Sequence, residues 1–126
     1  MRLLLLIGAG GAVGSVLRYL LGGLVQQRTG AAFPFGTLAV NLVGCLAIGL
    51  LSELVESRGA FDPANRAVLL VGVLGGFTTF SAFGNETLNL LRDGERMLAS
   101  ANVTASVILG LGAVWAGRAI AATWWS

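Results

Sequence analysis

Four apolar stretches, separated by short polar links, run the length of the chain. Each is close to the roughly 20 residues that a bilayer core demands, and together they predict helices over about 3–25, 36–56, 64–91 and 97–121. The first begins MRLLLLIGAGGAVG, a basic start and apolar run like those of a signal peptide. Its apolar character continues past Arg18 to Val25, however, which is long enough to span. The links are QQRTGAAFPFG, SRGAFDPANR and RDGER. Pro34 is placed to open the second helix, while Asp62 is placed to cap the third and Pro63 to start it. Trp124 and Trp125 close the fourth helix at an expected water interface. The chain reads as one multi-pass, all-α membrane domain over residues 1–126.

The third stretch breaks the apolar pattern at its centre. GVLGGFTTFSAFGNETLNLL, residues 72–91, places two glycines, several hydroxyls and three phenyl rings where a plain span would carry aliphatics. This predicts an unwound turn at Gly75–Gly76, near the membrane midplane, with Phe77 inside it. Irregular backbone at that depth is tolerated only where protein or an aqueous cavity satisfies it. Freed carbonyls there could hold a hard cation, and the restarting half-helix would present N–H groups and its positive dipole end. The plainer alternative is a kink with close glycine packing and threonine hydroxyls bonded to the preceding turn.

Candidate chemistry gathers around that break. Phe80 and Phe83 share a helix face, and their electropositive ring edges could weakly solvate a small anion; packing is their plainer role. Glu86, followed by Thr87, is an ionisable group in a membrane segment and therefore a functional candidate. Asn41 is the sharpest polar residue of the second span: a neutral amide donor for a desolvated anion, or an interhelical hydrogen bond. Arg18 could attract anions, snorkel or pair with Glu86. Asn102 and Ser106, four apart, form a polar stripe on the fourth helix that lines a pathway or joins helices.

Composition narrows the field. The chain is 56% hydrophobic and only 11% charged, with a mean hydropathy of +0.83. The net charge of +2 comes from arginine alone, too little for a nucleic-acid surface. One cysteine, Cys45, and no histidine exclude an intrachain disulfide framework and the usual zinc and Cys/His catalytic sets. With no nucleophile–base pair identifiable, an enzyme is not expected. GAGGAVG lacks the last glycine of a dinucleotide fingerprint, and no strand precedes it. Arg2, Arg58, Arg66 and Arg118 fall on one predicted face, against Arg28, Arg92 and Arg96 on the other. So small a difference leaves insertion free to occur either way up. The small-residue pairs Gly10/Gly14, Gly72/Gly76 and Ala113/Gly117 permit close helix approach, and with the short chain they suggest an oligomer. A two-fold dimer is the simplest such oligomer, antiparallel if insertion is dual.

GTLAVNLVGC at 36–45, followed by GGFTTFSAFGNET at 75–87, resembles the Fluc/CrcB family of bacterial fluoride channels. The resemblance covers essentially the whole chain. It implies a dual-topology antiparallel homodimer in the inner membrane, with two fluoride pores and a structural sodium ion at the interface. On matching positions, the backbone carbonyls of Gly75 and Thr78 would hold the sodium. Phe80 and Phe83 would face the pore and Asn41 would donate to fluoride. Ser81, Glu86 and Thr87 would fall in the adjoining polar track, and Ser106 would be a pore-side serine of the fourth helix. Asn102 stands where some members have a tyrosine, and Gly110 where some have a serine. A small multidrug-resistance-like transporter is the competing expectation. It would want a carboxylate in the first helix, where this chain has Arg18.

Overall fold

The computed structural model describes residues 1–124; Trp125 lies outside the described residues. Every regular element is helical: α1 (Arg2–Thr29), α2 (Phe35–Arg58), α3 (residues 63–77), α4 (Phe80–Arg92) and α5 (Arg96–Trp124). With α3 and α4 taken as one interrupted span, four helices among the described residues are long and apolar enough to cross a membrane. They run a few residues past the apolar stretches because their ends are capped rather than frayed. Gly30 (φ 56°) and Gly59 (φ 62°) end α1 and α2 in the left-handed conformation that glycine adopts most easily. Asp62 caps α3 by accepting from the Asn65 N–H at 2.8 Å, and Pro63 supplies its first residue. Pro34 stands just before α2, as its N-cap residue.

Glycines let the helices touch backbone to backbone. Gly10 and Gly14 of α1 lie against Val68 and Val73 of α3; a Cβ at Gly72 would sit 2.8 Å from the Ile7 carbonyl oxygen, and one at Gly76 would meet Gly11. Gly49 of α2 meets the Val114 carbonyl of α5, and Gly117 of α5 fits against Leu46–Leu50. Thus Gly10, Gly14, Gly72, Gly76 and Gly117, from small-residue pairs expected to favour association between chains, are used for packing within the protomer. Two close-packed pairs result, α1 with α3 and α2 with α5, joined where Gly22 of α1 approaches Gly36 of α2.

The interruption falls three residues later than the glycines suggest. Gly75 and Gly76 remain helical in Leu74–Phe77, and Phe77 is buried at the end of that turn rather than sitting in the break. The chain leaves the helix at Thr78 (φ −85°, ψ 157°) and Thr79 (φ −150°, ψ 110°), then restarts at Phe80. Gly76 stays helical because the missing side chain serves contact with α1. The threonines break because neighbouring polar groups compete there for the backbone. Upstream, Ala67–Val73 is π-helical. Its wider turns change the phase of later residues about the axis, and in the resulting register Gly72 and Gly76 both face α1.

Candidate functional site

Thr79 is the hub of the break. Its N–H donates to Asn41 Oδ1 at 2.8 Å, and its carbonyl accepts from Asn41 Nδ2 at 3.0 Å. Its hydroxyl accepts from the Ala82 N–H at 3.1 Å, capping α4, and lies 3.3 Å from the Ser81 hydroxyl. An extended residue shows its N–H and C=O on one side, as in an antiparallel bridge, and one side-chain amide can meet both. Thr78 donates its hydroxyl to the Leu74 carbonyl at 3.0 Å, the back-bond to the preceding turn that a simple kink would also use. Arg18 Nε donates to the Gly76 carbonyl at 3.2 Å, placing a cation at the C-terminal end of α3, where the helix dipole favours it.

Two clefts flank the break, and Thr79 lines both. The first, about 560 Å³, has Arg18, Thr37 and Glu86 among its walls. Glu86 Oε1 accepts from the Thr37 hydroxyl at 2.6 Å; its Oε2 is buried with no hydrogen-bond partner among the described residues. The second cleft, about 390 Å³, brings together Asn41, Gly75, Thr78, Phe80, Phe83 and Ser106. The Phe80 and Phe83 rings lie 5.4 Å apart, tilted by 45°, and Phe80 is 81% exposed on the single chain.

A polar line continues from α4 into α5. Thr87 Oγ1 donates to the Phe83 carbonyl at 2.7 Å and accepts from Asn102 Nδ2 at 2.9 Å. The Ser106 hydroxyl reaches Asn102 Oδ1 at 3.5 Å, and Asn102 is almost fully buried. Four residues on, the stripe ends at Gly110, where a Cβ would rest 3.7 Å from Cys45 Sγ, an ordinary contact. The structure therefore brings Arg18, Asn41, Phe80, Ser81, Phe83, Glu86 and Ser106 to the break or its two clefts, whereas Thr87 and Asn102 lie on the polar line between α4 and α5 and line neither cleft. Arg18 and Glu86 share a cleft, but each bonds elsewhere.

Two contributors escaped the sequence reading. Thr37, the partner of Glu86, precedes Asn41 by four residues and so shares its face; that spacing was legible. Gln26 donates to the Ala31 and Phe33 carbonyls at 3.0 and 3.1 Å and accepts from the Gly36 N–H at 2.9 Å. It thereby fixes the α1–α2 link beside the first cleft, and no local pattern marks it.

Comparison with known proteins bears on the family of the chain. The sequence model of the CrcB-like protein, Camphor Resistance (CrcB), family matches residues 5–118. A Rhizobium meliloti protein named fluoride-specific ion channel FluC is 50% identical over 120 residues, covering 95% of this chain and 96% of the relative. The Opitutus terrae protein of that name is 51% identical, covering 94% and 91%. The Geobacter sulfurreducens one is also 51% identical, covering 93% and 94%. Identity this high along nearly the whole of each chain, with a family match spanning all four membrane-capable helices, establishes that this chain belongs to the CrcB-like family.

Proposed function

We propose that the chain is a fluoride-selective channel of the bacterial inner membrane, releasing cytoplasmic fluoride passively down its electrochemical gradient. The observation that carries the reading is the interruption at Thr78–Thr79, with a polar cleft to one side and a phenyl-lined cleft to the other, in a chain whose relatives are named fluoride-specific ion channels. Fluoride is small and strongly hydrated, so a site must replace its water without trapping it. Several weak, neutral donors in series do this better than one fixed charge. The Phe80 and Phe83 ring edges, the Asn41 amide, and the hydroxyls of Ser81, Thr87 and Ser106 are such donors. Arg18, in the first cleft, would raise the local anion concentration at its mouth.

The working unit in this reading is an antiparallel, dual-topology homodimer with two pores, its break lying near the membrane midplane. Phe80 and Gly75 are exposed on the isolated protomer, as they would be if a second copy completed the site. Gly75 and Thr78 fit a sodium ion. Both line one cleft, a Cβ at Gly75 would find only the Leu70 carbonyl, at 3.9 Å, and Thr78 is extended, so its carbonyl has left the helix. Carbonyl oxygens of unwound backbone are the donors that suit this cation. Bound there, sodium would supply positive charge joining the two broken helices.

A drug–proton transporter is disfavoured, because the first span presents Arg18 engaged with α3 in place of a proton-carrying carboxylate. The test is efflux from liposomes followed with a fluoride electrode, against chloride. Rapid fluoride release with chloride retained is expected. Proton-driven uptake of a cationic drug without fluoride flux would overturn the reading.

A further inference from the structure

We propose that Asn41 is a positioning residue that keeps the third span open: it takes the Thr79 N–H that an unbroken helix would give to the Gly75 carbonyl. In an α-helix the N–H of residue i bonds the carbonyl of residue i−4. The preceding residue obeys this rule, with the Thr78 N–H on the Leu74 carbonyl at 3.0 Å. The next bond in the ladder would be Thr79 N–H to Gly75. Instead that N–H lies 2.8 Å from Asn41 Oδ1, and among the described residues no hydrogen bond reaches the Gly75 carbonyl.

Asn41 opposes rewinding from both ends of the same residue. Its Nδ2 also holds the Thr79 carbonyl, so rewinding at Thr79 alone would forfeit two side-chain bonds to gain one backbone bond. Of the freed carbonyls, Arg18 takes that of Gly76, whose helical donor would be the Phe80 N–H, while Gly75, its carbonyl unclaimed, lines the second cleft. Asn41 thereby determines whether Gly75 has an oxygen to offer a ligand. This gives Asn41 a role separate from donating to an anion. The consequence for the cation rests on the sodium reading above; the backbone consequence does not.

Without Asn41, the Thr79 N–H and C=O would be orphaned in a part-buried site, and buried backbone groups are rarely left unpaired. Rewinding by one residue is the nearest remedy, and it consumes the Gly75 carbonyl. Asn41→Leu removes both bonds. Asn41→Asp keeps an acceptor for the Thr79 N–H and loses only the donor.

Two readouts test this on the full-length protein in detergent. The first is NMR of threonine-labelled protein, with Thr79 assigned through Thr79→Ser; its Cα and Cβ shifts report extended or helical backbone. The second is the sodium concentration that half-stabilises the dimer. Thr79 is expected to turn helical in Asn41→Leu and stay extended in Asn41→Asp. The sodium midpoint should rise about tenfold or more in the leucine variant alone, the equivalent of one backbone bond regained at the cation's expense. A Thr79 that stays extended in Asn41→Leu overturns the proposal, as does a sodium midpoint moved equally by both variants. A wild-type dimer indifferent to sodium would refute the cation reading alone, and the Thr79 shifts would still decide the role of Asn41.

Discussion

Thr79 spends all three of its polar groups locally: N–H and carbonyl on Asn41, hydroxyl on the first turn of α4. The residues after it are therefore held at a fixed angle. Phe80 and Phe83 follow directly, so their rings stand on a capped helix start rather than on a loose linker. If the ring edges carry fluoride, replacing both phenyls with branched aliphatics should remove conduction while leaving the fold. Phe80→Ile with Phe83→Ile is expected to reduce liposomal fluoride efflux to background with the dimer still eluting as a single species. Undiminished efflux would mean that the rings only pack.

At the level of elements, spacing between α1 and α3 depends on bare backbone. Gly14 has no room for a methyl group, since a Cβ there would overlap the Val73 carbonyl oxygen, whereas Gly8 in the same helix has nothing within 4 Å. Gly14→Ala should therefore push α1 from α3 and destabilise the protein by about 1–3 kcal/mol, the usual range for overpacking. Gly8→Ala should be neutral or slightly stabilising, since alanine is the better helix former by up to about 1 kcal/mol. Thermal unfolding of the two variants side by side checks this; equal stability would show that α1 does not seat on α3 as described. Because Arg18 reaches α3 from α1, the same displacement would also lengthen its bond to Gly76.

For the whole molecule, the exposed apolar surface is the governing fact. Leu4, Leu5 and Tyr19 of α1, Phe80 of α4, and Ile108, Leu111 and Trp115 of α5 all stand largely uncovered on the single chain. A bilayer and a second copy would cover them between them. The proposed antiparallel dimer with sodium at its centre leads to a simple expectation. Exchanging sodium for a large organic cation throughout purification should convert dimer to monomer or aggregate on size exclusion, with recovery when sodium is restored. A dimer that persists unchanged would remove sodium from the structural account. The Arg118 pairs with Glu53 and Glu56 tie α5 to α2 at an exposed end. They are solvent-facing contacts, and such pairs contribute little.

The sequence by itself determined the elements, because bilayer length and uniform apolarity are properties of a contiguous stretch and need no partner to be read. It determined the caps at Asp62 and Pro63 for the same reason: their bonds close within a few residues. It also pointed to a break in the third span and to most of the residues around it, since hydroxyls and an amide in an apolar run are costly unless used. Where the break falls was decided only by tertiary structure. Glycine leaves a helix free to bend or to pack closely, and α1 selects packing at Gly76; Asn41, 38 residues away in sequence, selects Thr79 for opening. The contacts of Arg18 and Gln26 were hidden likewise, because a long polar side chain can reach many acceptors and only the fold brings one within 3 Å or so.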